Sequence, residues 1–192
     1  SSLASLDLSN FNTNKVKLMH SMFKDCHSLS YIKISSFNVE NVRGLTWMFG
    51  YCSSLTSVDL SNFNTKSLEM MYDMFLGCTS LTSVNLGKFN TEKVDNIGHL
   101  FYNCKNLVYV NLSSFNTNNI KYMDNLFNGC SSLTSINIPN FVTKNVELME
   151  NMFSGCNKLQ YLDISSFTTN KESVPLLSGL PNSGKIVVKS EF

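Results

Sequence analysis

The sequence predicts an α/β solenoid: a stack of short coils with parallel strands along one face and short helices along the other. Three observations carry this expectation. Every cysteine stands 26 residues from the next, at Cys26, Cys52, Cys78, Cys104, Cys130 and Cys156. Thirteen of the fourteen phenylalanines fall into two columns of the same period, one running from Phe23 to Phe153 and the other from Phe11 to Phe167. Within each period, an alternating apolar–polar stretch precedes a stretch whose apolar residues recur at helical spacing. A fixed period of this length marks a repeat array, in which each unit buries its apolar face only against its neighbours.

The strand half is clearest in Leu55-Thr-Ser-Val58-Asp-Leu60-Ser-Asn-Phe63. Val58 and Leu60 alternate with polar residues, the period of a strand with one buried face. Leu6/Leu8, Ile32/Ile34, Val84/Leu86, Val110/Leu112, Ile136/Ile138 and Leu162/Ile164 repeat the pattern. β-branched residues are frequent there, as strands prefer, so seven strands in one direction are expected.

In the second half, Val16, Met19, Met22, Phe23 and Cys26 are spaced three, three, one and three, which places them on one helical face. Thr13, Thr65, Thr91, Thr117 and Thr143 lie just upstream and suit helix N-caps. The residue before each cysteine is Asp25, Tyr51, Gly77, Asn103, Gly129 or Gly155. All but Tyr51 are types that tolerate the left-handed conformation that ends a helix, so Tyr51 is expected to be strained. Helices are wider than strands, so the stack should curve with the sheet inside.

Residues 1–169 are read as the array, six full repeats and a partial seventh, and residues 170–192 as a C-terminal cap. In the cap, Lys185-Ile-Val-Val-Lys189 reads as a short edge strand, with its charged ends and Pro181 blunting the exposed edge. The chain opens in mid-repeat, because Ser1-Ser2-Leu3 matches Ser53-Ser54-Leu55 without the preceding cysteine. It reads as a piece of a longer array.

Composition narrows the function classes. The 43% hydrophobic content suffices for a core, and a net charge of +1 gives no global attraction to nucleic acid or an anionic membrane. No apolar run approaches the 18 or so residues of a membrane span. The cysteines lack the short spacings of zinc sites. Stacked at equivalent positions they would point the same way, the wrong geometry for disulfides, and they read as buried thiols. His20, His27 and His99 occupy three different repeat positions, and no phosphate-binding glycine loop occurs. Neither catalysis nor a cofactor is expected.

Asn12, Asn38, Asn64, Asn90 and Asn116 follow the second phenylalanine, and read as a ladder bonding turn backbone. The residues left for a binding role lie on the exposed strand face. One column reads Ser5, Tyr31, Ser57, Ser83, Tyr109, Ser135, Tyr161, and the next Asp7, Lys33, Asp59, Asn85, Asn111, Asn137, Asp163. Tyrosine gives large contact area at low entropic cost. Tyr31, Tyr109, Tyr161 and the Asp/Asn/Lys column are therefore the candidate binding residues, set against a plain solvated sheet face whose charges offset one another.

Leu55-Thr-Ser-Val-Asp-Leu60 resembles the L-x-x-L-x-L signature of leucine-rich repeats, with Phe63 where asparagine or cysteine is usual. The whole unit, carried by Met71, Met74, Phe75, Cys78, Leu81, Val84, Leu86, Phe89, Asn90 and Thr91, resembles the BspA-like surface-protein repeats of mycoplasmas, Listeria-type Gram-positive bacteria and some protozoan parasites. It covers roughly residues 3–169. The resemblance implies a right-handed superhelix with a concave sheet, at the cell surface or secreted, used in adhesion or host interaction. Its expected partners are host or neighbouring-cell extracellular proteins, with glycans as a second class. A rigid spacer and a carbohydrate-binding array are the alternatives.

Overall fold

The computed structural model describes residues 2–138, 140–168, 180 and 185–187. It is a stack of coils in which each residue faces its counterpart about 26 positions along. The strands are β1 (Ser5–Asp7), β2 (Tyr31–Lys33), β3 (Ser83–Asn85), β4 (Tyr109–Asn111), β5 (Ser135–Asn137), β6 (Tyr161–Asp163) and β7 (Lys185–Val187). All pairings are parallel, and Leu6↔Ile32, Val84↔Val110 and Ile136↔Leu162 share a register offset of 26. β7 lies beside β6 with Ile186 opposite Leu162. Val188, Lys189 and Pro181 lie outside the described residues.

Two sequence expectations are corrected. The segment around Val58 forms no strand, so the array carries six of the seven expected. They join as β1–β2, β3–β4 and β5–β6–β7 rather than as one sheet. Strands of three residues make few lateral bonds, so a small displacement removes a pairing. At the gap the contact shrinks to Thr82 N–H donating to the Thr56 carbonyl at 3.0 Å.

The second correction concerns the helices. No α-helix forms among the described residues. Two residues per repeat, four apart, have positive φ: Ser21/Asp25, Trp47/Tyr51, Asp73/Gly77, His99/Asn103, Asn125/Gly129 and Asn151/Gly155. A left-handed residue costs an L-amino acid roughly 1–2 kcal/mol and cannot continue a right-handed helix. The backbone bonds go elsewhere. In the second coil, the amides of Leu45, Trp47, Phe49 and Tyr51 donate to the carbonyls of Met70, Tyr72, Met74 and Leu76 in the next coil. Those of Met48, Gly50 and Cys52 close local three-residue turns on Leu45, Trp47 and Phe49. The scheme recurs from Ser21 to Ser154. Alternate amides bond sideways and the others bond backwards, which satisfies the donors of a buried segment without a helix.

The threonines cap, but across the stack. Thr91 Oγ1 donates to the Asn116 carbonyl and accepts the Asn116 amide, both at 2.9 Å. Thr13, Thr65, Thr117 and Thr143 clasp Asn38, Asn90, Val142 and Thr168 in the same way. Each threonine is buried, so its hydroxyl supplies both partners that a buried peptide group needs. The second coil has Val39 at this place and lacks the rung.

Inside, the rings of Phe23, Phe49, Phe75, Phe101, Phe127 and Phe153 stack face on face, with centroids 5.4–6.0 Å apart. Met48, Met74, Leu100, Leu126 and Met152 are completely buried, whereas Met22, in the first coil, is 42% exposed. Phe11 is likewise exposed beside buried counterparts in the interior coils, because a coil needs a neighbour on each side to close its core.

Val39→Thr is expected to supply the missing rung to Asn64 and stabilise the protein by about 1 kcal/mol. Thr91→Val, which strands the Asn116 peptide group, should cost about 1–3 kcal/mol. Urea unfolding followed by circular dichroism measures both.

Candidate functional site

Alternation along each strand decides what reaches the outside. In β2, Ile32 points into the core while Tyr31 and Lys33 stand out, and β3 and β5 do the same. Tyr31 and Tyr109 are among the most exposed large side chains, at 56% and 58%. Tyr161 is half-buried. Register sets Ser5 opposite Tyr31, Ser83 opposite Tyr109 and Ser135 opposite Tyr161. Each tyrosine therefore rises beside a short side chain, with Val108 exposed next to Tyr109.

The neighbouring column is committed to its own turns. Asp7, Asp59, Asn85, Asn111 and Asp163 each accept, at 2.8–3.0 Å, the backbone amide two residues on. Asn111 also donates to Asn85 Oδ1, and Lys33 pairs with Asp7 at 3.4 Å. Bonds from Ser9, its hydroxyl foremost, hold the Asp7 carboxyl below the usual range, and the Ser61 amide does the same for Asp59. These side chains shape the strand ends, and Asn137 is exposed in line with them. The structure thus brings the tyrosines and the polar column onto one face. Asn12, Asn38, Asn90 and Asn116 also accept the amide two residues ahead, as expected of turn residues.

The turn face holds Tyr51, left-handed as its sequence position implies, and Trp47, which the sequence reading missed. Trp47 and Tyr51, both at φ 60°, are the one place where two bulky aromatics fill both left-handed positions of a coil. Their rings lie 5.6 Å apart, and Lys24 Nζ sits 4.1 Å from the centre of the Trp47 ring. Contact of this kind offsets part of the backbone strain. The signal was present in the sequence, because Trp47 shares a column with Asp73, His99, Asn125 and Asn151, mostly types that tolerate positive φ. Further along, His99 Nδ1 lies 3.8 Å from Asp73 and 3.7 Å from Asp124, beyond hydrogen-bond distance. Burial raises the Asp73 carboxyl, with the His99 attraction opposing it and Asp124 adding to it. His27 Nδ1 meets the Tyr51 carbonyl at 2.9 Å, and the His20 ring lies over Gly44. The three histidines sit in separate surroundings.

All six cysteines are free thiols, five of them buried. Each buried thiol donates to a phenylalanine carbonyl of the preceding coil: Cys52 to Phe23, Cys78 to Phe49, Cys104 to Phe75, Cys130 to Phe101 and Cys156 to Phe127, at 3.0–3.2 Å. The same carbonyl accepts the amide of its own coil's cysteine. The column thus joins the coils as well as filling space. Burial pushes the Cys52 and Cys156 thiols up to about 12, and those between them higher than usual too. Among the described residues, no group of three or more His, Cys, Asp or Glu side chains is gathered as a metal site.

A family model described as "Mycoplasma protein of unknown function, DUF285" matches residues 1–107 and again 81–175. The chain belongs to this family. The two matches overlap over about one coil, as expected when a model built on several repeats slides along a longer periodic array. No curated protein matches the chain significantly.

Two outcomes follow for this DUF285 chain. Iodoacetamide at pH 8 should label only Cys26 in the native state and all six cysteines after denaturation, because thiolate and access are both needed; mass spectrometry counts the adducts. Burial raises the folded-state pKa of Asp73 above its ordinary value. The stability it contributes is full below its unfolded value of about 3.9 and is lost as pH rises through the raised value. Asp73→Asn, which tolerates the φ of 59°, should therefore raise the thermal midpoint at pH 7, with the gain fading towards pH 4.

Proposed function

We propose that the chain is a non-catalytic binding module, displayed at the cell surface or secreted, which takes extracellular proteins of a host or neighbouring cell on its strand face. The observation that carries this reading is the exposure of Tyr31 and Tyr109 on a face whose other outward side chains are mostly serine, asparagine and aspartate, with Lys33 and Tyr161. A soluble surface gains nothing by holding large aromatic side chains in water. Tyrosine standing above short neighbours is the arrangement by which interfaces place their energetic anchors.

The polar column completes the reading. Its side chains are fixed by their own turns, so a partner meets a pre-ordered surface and loses little entropy on docking. The resemblance to BspA-like surface repeats agrees with such a role and is the ground for proposing a cell-surface location.

The test immobilises the chain against a panel of purified extracellular matrix and plasma glycoproteins. Saturable binding is expected, weakened roughly 30-fold or more in the Tyr31→Ser/Tyr109→Ser variant, about 2 kcal/mol being typical of one hot-spot residue, with its thermal unfolding unchanged. Undiminished binding in the variant would remove the strand face as the site. Binding to no panel member would favour the rigid spacer.

A further inference from the structure

Some charged side chains in this stack are neutralised along columns, by a partner 26 residues away on the adjacent coil. Lys33 pairs with Asp7, Lys66 with Glu40 and Lys121 with Glu147. The column that holds Lys121 begins differently. Lys17 and Arg43 occupy the same position of the first and second coils, and Arg43 N–H donates to the Lys17 carbonyl at 2.8 Å, so two cations stand on adjacent rungs. Like charges directly opposite in a parallel ladder repel. Nothing acidic lies within 4.0 Å of Lys17 or of Lys15 among the described residues, and Glu69 reaches only Arg43 Nε, at 3.9 Å.

These cations share a depression of about 500 Å³, lined by Asn14, Lys15, Lys17, Asn41, Arg43 and Ser67. The lining carries no apolar residue. Its rim is braced, since Asn41 Nδ2 donates to the Asn14 carbonyl at 3.1 Å and Asn14 Oδ1 accepts from Asn38. The next members of the Lys17 column are Glu69, Asp95, Lys121 and Glu147, so two cations stand on adjacent rungs of it at the first two coils alone.

We propose that this depression binds an oxyanion, a sulfate or phosphate group, as the free ion or as an ester on a larger polar molecule. Three cations line one concavity, of which Arg43 alone has a carboxylate within 4.0 Å, and the guanidinium fork of Arg43 matches the geometry of tetrahedral oxyanions. An anion seated between Lys17 and Arg43 would turn their repulsion into attraction on both sides. The volume exceeds that of a single ion and falls in the range of small-molecule sites, which leaves room for the body of an ester. The site lies apart from the tyrosines and stands whether or not the strand face binds a protein.

Isothermal titration calorimetry at ~20 mM salt, where surface charges are little screened, compares inorganic phosphate, inorganic sulfate and a heparin-derived hexasaccharide. Saturable binding of at least one probe is expected. Lys17→Ala/Arg43→Ala should weaken it by about tenfold or more, some 1.4 kcal/mol, and Lys105→Ala/Lys158→Ala, which removes the same charge elsewhere, less than about twofold. The inorganic arms report a free-ion site, and the hexasaccharide alone an ester site. Lys17→Glu, which sets opposite charges on the two rungs, should abolish binding and raise the thermal midpoint. The Tyr31→Ser/Tyr109→Ser variant should bind as the parent does. Binding of none of the probes, or equal weakening by both double variants, would overturn the proposal.

Discussion

The sideways hydrogen bond from one coil to the next, made by alternate amides of the turn segment, is the constraint on which the rest of the structure depends. From Leu45 to Tyr51, every second amide donates to the following coil. This works only if the chain reverses local handedness twice per repeat, at residues such as Asp73 and Gly77. Asparagine, aspartate and glycine recur at those places because they reach positive φ at least cost. The coils are then held at a near-strand spacing, and side chains of one column meet their own kind. A planar ring in such a column stacks, as the six phenylalanines do. A thiol finds the carbonyl of the coil before it. A threonine finds a whole peptide group.

The same constraint makes the stability local. Each coil bonds to its two neighbours, so a defect is felt by one interface rather than by the whole body. Val39 shows how such a defect is tolerated: the second coil lacks its threonine rung, yet its thiol, its ring and four sideways amides remain. Trp47 and Tyr51 show the opposite case, two strained residues in one coil, compensated by contact with each other and with Lys24.

The repeat length, the buried columns, the free thiols and the strand alternation were all legible in the sequence, because a period of 26 fixes which residues share a column and burial follows from column chemistry. The helices were misread for a physical reason. Met19, Phe23 and Cys26 recur at three and four residues, a spacing that suits both a helix and a chain turned by two left-handed residues four apart. Apolar periodicity cannot separate these. Backbone permissiveness can: Gly44, Gly50 and Gly98, with Asn and Asp at the φ-positive columns, are poor helix formers set in the middle of the supposed helix. On the candidate site, the exposure of Tyr31 and Tyr109 followed from alternation. The binding of Asp7 and Asn85 to their own turns did not, because a polar residue on an exposed face reads alike whether it is free or engaged.

A stack held together by backbone and core columns leaves some outward positions, such as that of Tyr31, free of structural duty, and this is where one coil can differ from the next. The strand face and the Lys17–Arg43 edge draw on different columns of the same repeat, so change in one need not disturb the other. A globular domain of this size must weigh most surface substitutions against packing beneath them. Here the outward residue at the head of a strand, such as Tyr31, is followed by a core residue and flanked by backbone, neither of which depends on its identity. The Tyr31 position accepts serine and tyrosine, and the Arg43 position lysine, arginine, glutamate and aspartate, within one chain. That freedom allows two surfaces of different chemistry to coexist on one scaffold.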